Sequence, residues 1–326
     1  MNIKKLIMSG PGAPFGAELC RTLDGMEREL SEMCRGAGAL ETPLRRAVSG
    51  GKRLRPLLAW VAWSLGGRKM PILELMCMIE AMHTASLIHD DVVDRAAVRR
   101  GSPTVNAECG ALSAIAAGDF LLGRSMEKLH VYRGTGINEA LSRVSLEMCR
   151  GELDQRAGLF ETHGMTRESY MLRAGRKTAL LMSESCRCGA AAGGADEKTC
   201  AALADYGLHL GLAFQMRDDI ADLFPGTGKE PMQDLRGGVM SLVAVCALEC
   251  GSIELEGLLR RRDKSAADMQ RLPELINASG ALEAARAALC GECRAAKSAL
   301  SRLSPSAQTR SLGLLAEKLS EVEINV

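Results

Sequence analysis

Two five-residue aspartate motifs are the part of this sequence best suited to chemistry. The first covers Asp90-Asp91-Val92-Val93-Asp94 and the second covers Asp218-Asp219-Ile220-Ala221-Asp222, so both read D-D-x-x-D. With 14 aspartates in 326 residues, one such motif is expected by chance only about 0.03 times. On a helix, the first and last aspartate of each motif share a face about one turn apart.

This spacing is costly for a helix, because like charges one turn apart repel by a few tenths of a kcal/mol. At the C-terminal end of a helix, the same charges also oppose the helix dipole. A divalent cation offsets both costs. Mg²⁺ prefers carboxylate oxygens and commonly bridges one or two carboxylates to a substrate phosphate. The motifs therefore predict a Mg²⁺ site for a phosphate-bearing substrate, and a solvated acidic face is the alternative.

Basic residues alternate with these motifs along the chain. They are Lys52, Arg53 and Arg55 after a Gly-Gly turn, Arg99 and Arg100, Arg176 and Lys177, and Lys229. On a helix, Lys52 and Arg55 would project together. Arginine and lysine both suit phosphate oxygens. Taken singly, each group could also be a solvated face or a nucleic-acid patch, and the Gly-Gly-Lys lacks the pattern of a phosphate-binding P-loop.

The elements that must position these groups are helices. Hydrophobic residues make up 47% of the chain and charged residues 25%, which excludes a disordered chain, while aromatic residues make up only 3%, which disfavours a β-sandwich or barrel. Residues 104–224 contain no proline, and apolar residues recur at helical spacing from Leu75 to Ile88 and from Leu203 to Phe214. We predict one all-α domain over residues 1–326. The predicted loops lie near 43–51, 95–104, 131–137, 161–166 and 225–240.

Charge and cysteine usage exclude further classes. Lys and Arg number 41 and Asp and Glu 40, so the net charge of +1 does not support binding to nucleic acid. The 12 cysteines have no zinc-site spacing, and the Cys290–Cys293 pair has no second pair beside it. We expect thiols in a reducing cytoplasm. The sequence shows no signal-peptide core near Met1 and no apolar run that could span a bilayer.

The order and spacing of these motifs resemble those of the trans-prenyltransferase family, the head-to-tail polyprenyl diphosphate synthases, and especially the heptaprenyl and octaprenyl types. The resemblance covers about residues 45–245. It rests on G-G-K-R-L-R-P at 50–56, L-I-H-D-D-V-V-D at 87–94, R-R-G-S-P-T at 99–104, G-D-F-L-L at 118–122, G-R-K-T-A-L-L at 175–181, F-Q-M-R-D-D-I-A-D at 214–222, G-K at 228–229 and D-L-R-G-G at 234–238. The resemblance implies a single-domain isoprenoid-synthase helical bundle around a central cleft.

The resemblance also implies roles for the matching residues. The metal-binding set, with three Mg²⁺ ions, would be Asp90, Asp94 and Asp218, with Asp91, Asp219 and Asp222 in or near it. The diphosphate of the allylic substrate would contact Arg99, Lys177 and Lys229. Isopentenyl diphosphate would contact Lys52, Arg55, His83 and Arg100. Thr178 and Gln215 would lie beside the reacting carbons.

By the same resemblance, the allylic substrate (geranyl, farnesyl or geranylgeranyl diphosphate) ionises to a carbocation. The isopentenyl double bond attacks it, and loss of a proton follows. No protein nucleophile is needed, and the sequence offers none. The enzyme would be a homodimer, or a heterodimer with a small second subunit. Its product would be released at a membrane surface, for use as a quinone side chain or another isoprenoid.

Product length should depend on the residues upstream of Asp90. Relatives that make short chains carry an aromatic residue four or five positions before the first aspartate, where this chain has Ser86 and Ala85. The next turns carry Met82 and Met78, which are apolar and adaptable. Because a helical turn rises about 5.4 Å, close to one isoprene unit, we predict a product on the order of C30 to C40. A geranylgeranyl diphosphate synthase is the shorter alternative.

Some residues depart from the family pattern. The segment after Lys229 reads Glu230-Pro231-Met232, with the proline displaced by one, and Ser241-Leu242-Val243 replaces T-L-P.

Other functions agree less well with the sequence. A class I terpene cyclase normally lacks the second D-D-x-x-D. A regulatory subunit generally loses one or both motifs, and both are intact here. A basic nucleic-acid module does not explain the alternation of charge.

Overall fold

The computed structural model describes residues 16–224 and 231–321, and nearly all of its regular structure is helical. This confirms the all-α prediction. Two short strands, Val98–Arg99 and Ser102–Pro103, pair antiparallel in the loop after the first aspartate motif. The chain divides into two compact units. The prediction of one domain over residues 1–326 stays a prediction.

The first unit comprises residues 1–142, 184–204 and 304–312. Its described part begins with α1 (Gly16–Met33), α2 (Glu41–Val48), α3 (Leu54–Leu65) and α4 (Leu73–Val93). After the strands come α5 (Val105–Cys109) and α6 (Ala111–Glu127). Single 3₁₀ turns cover Gly38–Leu40 and Lys128–Tyr132.

The second unit comprises residues 143–183, 205–303 and 313–326. The remaining helices, in chain order, are α7 (Ile137–Ala157), α8 (Arg167–Ala174), α9 (Leu180–Gly193), α10 (Glu197–Ala221), α11 (Gln233–Arg236), α12 (Leu242–Glu249), α13 (Ile253–Arg260), α14 (Ala266–Ser279), α15 (Ala281–Leu300) and α16 (Ala307–Ser320). A π-helical turn, Gly175–Ala179, joins α8 to α9. Four of these helices, α7, α9, α10 and α16, contribute residues to both units.

Helix α4 lies in the core of the first unit. Twelve of its residues are buried, including most of the apolar residues between Leu75 and Ile88. The buried Tyr132 anchors its start, because the hydroxyl donates to the Pro71 carbonyl at 2.6 Å and accepts the Leu75 N–H at 3.0 Å. Gly189 lets α9 approach α3 closely, since a Cβ there would lie 2.2 Å from the Ala59 carbonyl oxygen.

In the second unit, glycines bring α10 against the segment that contains the π-helical turn. A Cβ at Gly207 would lie 2.6 Å from the Met182 carbonyl oxygen, and one at Gly211 would lie 2.5 Å from Cα of Ala179. Neither position has room for a larger residue without a backbone shift. This close packing fixes the last turns of α10, which carry the second aspartate motif, relative to Thr178.

The structure corrects the predicted loop at 43–51. Residues 43–48 belong to α2, because Leu44 and Val48 lie one helical turn apart and are both buried. Only the segment around Gly50 and Gly51, with φ of 71° and 95°, forms the turn. In the predicted loop at 225–240, α11 occupies 233–236 and residues 225–230 lie outside the described part.

The predicted loops at 95–104 and 161–166 are confirmed, apart from the two-residue strands in the former. In the predicted loop at 131–137, the 3₁₀ turn reaches Tyr132 and α7 begins at Ile137. None of the helices in the described ranges combines the length and the apolar character needed to cross a membrane.

Candidate active site

The first aspartate motif forms the C-terminal end of α4, as predicted. The Asp94 N–H donates to the Asp90 carbonyl oxygen at 2.8 Å, so the motif keeps helical geometry up to the cap. The three aspartates differ in exposure. Asp90 is half-buried and Asp94 is exposed, whereas Asp91 is only 4% exposed. The two carboxylates that share a helix face are therefore the two that reach solvent.

The buried Asp91 is engaged by an arginine. Arg99 Nε donates to Asp91 Oδ1 at 2.7 Å. Burial raises the pKa of Asp91, and the hydrogen bond from Arg99 partly offsets this effect. The Asn106 side chain also donates to the Asp91 carbonyl oxygen at 3.4 Å. Asp91 thus ties the strand loop back onto the end of α4.

The second motif repeats this arrangement at the end of α10. Asp218 is exposed and Asp219 is 4% exposed. Asp219 Oδ2 accepts the Leu242 N–H at 2.8 Å, and Asp219 Oδ1 accepts Gln215 Nε2 at 2.8 Å. Burial raises the pKa of Asp219, while these hydrogen bonds lower it. Asp222, which is half-buried, accepts the Asp234 N–H at 3.0 Å through Oδ2.

A chain of side-chain hydrogen bonds continues from Asp219 to Thr178 in the π-helical turn. Gln215 donates to Asp219 and accepts a hydrogen bond from Thr178 Oγ1 at 2.8 Å through Oε1. The orientation of the Gln215 amide is therefore fixed at both ends. The structure thus brings together Thr178 and Gln215, the two residues predicted to lie beside the reacting carbons.

The Gly50-Gly51 turn carries the first basic group, in the first unit. A Cβ at Gly51 would lie 2.9 Å from the movable guanidinium of Arg100, and the φ of 95° at Gly51 is what favours glycine there. Arg100 Nη1 donates to the Gly50 carbonyl at 3.3 Å, and no carboxylate in the described ranges forms an ion pair with it. Burial lowers the pKa of Arg100. Arg100 is exposed and its guanidinium bonds only to backbone carbonyls among the described residues, so it is well suited to an anionic ligand.

The structure also brings Arg55 and His83 together. Arg55 Nη1 lies 3.1 Å from His83 Nε2. Burial, followed by the charge of Arg55, lowers the pKa of His83 well below its usual value, so His83 is neutral near pH 7. Lys52 is exposed. The helical argument for Lys52 and Arg55 was wrong, because Arg53 has φ of 50° and α3 begins only at Leu54.

Acidic residues of α7 face the third basic group, and the sequence did not reveal them. Lys177 Nζ pairs with Glu152 Oε2 at 2.6 Å, and Arg176 pairs with Glu147 at 2.9 Å and with Asp154 at 2.7 Å. The available signal was Gly151, an interior helix glycine that often marks a close approach. A Cβ at Gly151 would lie 2.8 Å from the Lys177 backbone nitrogen.

The residues predicted to set product length lie on α4. Ala85 is 3% exposed, whereas Ser86 is half-buried and donates to the His83 carbonyl at 2.8 Å. Met82 and Met78 are buried one and two turns below. Lys229, predicted to bind the allylic diphosphate, lies outside the described residues.

The carboxylates fit a metal that is shared with a ligand. Across residues 16–224 and 231–321, no group of three or more His, Cys, Asp or Glu side chains forms a metal cage. Mg²⁺ seldom needs one, because it retains waters and uses one or two carboxylates together with substrate phosphates. In the first unit the exposed Asp94 and the half-buried Asp90 are suitable donors of this kind, and in the second unit the exposed Asp218 is.

Comparison with known proteins agrees with this chemistry. Residues 38–276 match the protein family described as polyprenyl synthetase. The chain is 34% identical over 272 residues to heptaprenyl diphosphate synthase component 2 of Bacillus subtilis, covering 81% of this chain and 78% of the relative. It is 35% identical over 301 residues to the short chain isoprenyl diphosphate synthase of Methanothermobacter thermautotrophicus, covering 87% and 91%.

A solved structure is similar as well. The polyprenyl synthase of Caulobacter crescentus CB15, complexed with calcium and isoprenyl diphosphate, superimposes with a TM-score of 0.86 at 29% identity. The similarity covers 97% of this chain and 99% of that one.

Proposed function

Because this chain belongs to the polyprenyl synthetase family and is a trans-prenyltransferase, we propose that it condenses isopentenyl diphosphate with an allylic diphosphate to make a product on the order of C30 to C40. One observation carries this proposal. In each D-D-x-x-D motif the first aspartate is at least partly exposed, whereas the second is buried and hydrogen-bonded. The buried aspartate fixes the helix end, so that the exposed one can bind a metal–diphosphate complex from a rigid position.

Members of this family use divalent metal ions to bind diphosphate. We assign Asp90, Asp94 and Asp218 as Mg²⁺ ligands, with three ions per active site. Asp91, Asp219 and Asp222 hold the motifs in place through Arg99, Leu242 and Asp234. The calcium in the Caulobacter relative supports a site for hard cations. When bound, the metal neutralises charge on the leaving diphosphate.

The basic residues divide between the two substrates. Isopentenyl diphosphate binds Lys52, Arg55, His83 and Arg100. In support, Arg100 lacks a carboxylate partner among the described residues, and His83 is neutral and so can hydrogen-bond without adding charge. The allylic diphosphate binds Arg99, Lys177 and Lys229.

In the reaction, the bond between the allylic carbon and the diphosphate oxygen breaks, and its electron pair leaves with the diphosphate. The π electrons of isopentenyl diphosphate form the new carbon–carbon bond, and a proton passes to the released diphosphate as the trans double bond forms. Thr178 and Gln215 stabilise the positive charge. Their hydrogen bonds to each other and to Asp219 fix their dipoles before the charge develops.

Ala85 and Ser86 give the growing chain room, because neither side chain is bulky. A geranylgeranyl product is the second candidate, and the similarity to a short chain synthase favours it. We further propose a homodimer, or a heterodimer with a small second subunit. The relative named "component 2" supports the heterodimer.

We place the enzyme in the cytoplasm and the release of its product at a membrane surface. None of the 12 cysteines, all of which lie in the described ranges, forms a disulfide. This agrees with a reducing compartment.

The decisive experiment is incubation with Mg²⁺, labelled isopentenyl diphosphate and each allylic primer in turn, followed by sizing of the products. We expect chains longer than C20. A C20 product would favour the second candidate, and a C15 product alone would overturn the assignment of length. No incorporation with any primer, even after addition of a candidate small subunit, would overturn the function.

The metal ligands are tested separately. Asp90→Ala or Asp218→Ala should lower turnover at least about 10³-fold, because each removes a proposed ligand at the charge that develops during ionisation. The matched control is Asp263→Ala, which removes an exposed carboxylate outside both motifs and should leave turnover unchanged. Full activity in both motif variants would rule out these ligands.

A further inference from the structure

Arg53 is the one residue of the Gly50–Pro56 motif whose charge is buried. Its side chain is 6% exposed, and its backbone has φ of 50°, in the left-handed region that non-glycine residues seldom adopt. Lys52, just before it, is exposed, and Arg55, two residues later, is only half-buried. A charge buried inside a substrate-binding segment needs internal partners, and the structure provides them.

Arg53 makes four hydrogen bonds to three structural elements, out of the five N–H donors of its guanidinium. Nε and Nη2 donate to the two carboxylate oxygens of Glu27 in α1, both at 2.7 Å. Nη1 donates to Glu80 in α4 at 2.6 Å, and Nη2 also donates to the Val48 carbonyl at the end of α2 at 2.6 Å. Burial alone would lower the pKa of Arg53, but Glu27 and Glu80 raise it above its usual value.

These bonds link the two segments that carry the isopentenyl diphosphate residues. Arg53 and Arg55 lie at the start of α3, while Glu80 and His83 lie one turn apart on α4. The Arg53–Glu80 ion pair is therefore a buried counterpart of the Arg55–His83 contact at 3.1 Å. Glu80 is 2% exposed, so it has no solvent to compensate for a lost partner.

We propose that Arg53 is a positioning residue for isopentenyl diphosphate. It holds the turn at 49–53 against α1 and α4, so that Lys52 and Arg55 lie at a fixed distance from His83. This inference rests on the proposed function, in which Lys52, Arg55 and His83 bind that substrate. Arg53 itself has no part in binding, because its side chain is buried and four of its five N–H donors are bonded to Glu27, Glu80 and Val48.

The test is Arg53→Lys, which keeps the charge but loses the planar fork that joins Glu27 to Glu80. We expect the KM for isopentenyl diphosphate to rise about tenfold, with kcat and the KM for the allylic substrate within about twofold of wild type. A purely structural role would instead lower the melting temperature and the active fraction, and leave both KM values unchanged.

Arg68→Lys is a matched control in the same unit. Arg68 also has a positive φ, 54°, and also pairs with a glutamate of α1, because its Nη1 donates to both carboxylate oxygens of Glu18 at 2.8 and 2.9 Å. It follows the C-terminal end of α3 rather than its start. The control should leave both KM values unchanged.

Glu27→Gln keeps the proposal testable if Arg53→Lys fails to fold. The Glu27 side chain is 43% exposed, so its substitution should be tolerated, and the KM for isopentenyl diphosphate should rise about threefold. Equal changes in both KM values, or no change in either, would overturn the role of Arg53. If wild type still turns over its substrates, the proposed function is unaffected by that result. An inactive wild type would instead contradict the proposed function.

Discussion

The side-chain oxygen Oδ2 of Asp219 accepts a hydrogen bond from the backbone N–H of Leu242 at 2.8 Å. Leu242 is the first residue of α12, and the side chain of the preceding Ser241 makes no capping bond. Asp219 therefore satisfies one of the N–H groups that a helix start leaves without a partner. The second aspartate motif thus has a structural member beside members that reach solvent.

We expect the two adjacent aspartates to respond differently to the same substitution. Asp219→Asn should lower the free energy of unfolding by about 1–3 kcal/mol, because a buried acceptor of two hydrogen bonds is replaced by an amide that cannot accept both. Asp218→Asn, at an exposed position, should cost less stability than Asp219→Asn and lower turnover at least about 100-fold. Urea unfolding and turnover of each variant measure both effects. A loss of stability in Asp218→Asn only would contradict the assignment.

The Lys177–Glu152 ion pair predicts an effect on the allylic substrate. Glu152 holds the ammonium group of Lys177 at 2.6 Å and so competes with an incoming diphosphate. Glu152→Gln should lower the KM for the allylic substrate about threefold, since a neutral amide competes less well. The KM for isopentenyl diphosphate should stay the same.

Glu147→Gln is the control for that measurement. Glu147 pairs with Arg176 at 2.9 Å rather than with Lys177. This variant should leave the KM for the allylic substrate unchanged. A higher KM in Glu152→Gln would mean that Glu152 orients Lys177 for binding instead of competing for it.

The helical class and the position of both motifs at helix ends could be predicted from the sequence, because apolar periodicity and the lack of proline are local signals. The partners of the basic residues could not. Glu152 lies 25 residues from Lys177 and Glu80 lies 27 residues from Arg53, and a single sequence does not encode pairings at that distance. For the same reason the sequence alone does not distinguish Asp218 from Asp219. They differ only in the folded chain, where Asp219 is buried and bonded to the start of α12 and Asp218 is exposed.

Product length offers a prediction at Ser86. This residue lies on α4 one turn before Asp90 and is half-buried, so a larger side chain can be accommodated there. Ser86→Phe should shorten the main product to about C15 to C20, because the ring blocks the path within one helical turn, or about 5.4 Å, of the motif. Chromatographic sizing of the products measures the effect.

Leu146→Phe is the control for length. Leu146 is 51% exposed on α7 and is not among the residues proposed to line the path of the product. Its substitution adds a ring of the same size and should leave product length unchanged. An unchanged product in Ser86→Phe would show that the chain grows along another route.

The last prediction concerns pH and the contact between α10 and α15. His209 Nδ1 lies 2.7 Å from Glu292 Oε2, and this hydrogen bond raises the pKa of His209 above its usual value of about 6.5. A raised folded-state pKa gives stability that is fully present below the unfolded pKa and is lost as pH rises through the folded value. Because the His209 side chain is 33% exposed, solvent screening limits the effect to about 0.5–1 kcal/mol.

Glu292→Gln should therefore be less stable than wild type by that amount at pH 6 and equally stable at pH 9, as measured by urea unfolding at both values. His163→Gln, at an exposed position in the same unit, is the control and should differ from wild type by the same small amount at both values. A difference between Glu292→Gln and wild type that is the same at pH 6 and at pH 9 would show that His209 is neutral in the folded protein, and that the contact with Glu292 is not an ion pair.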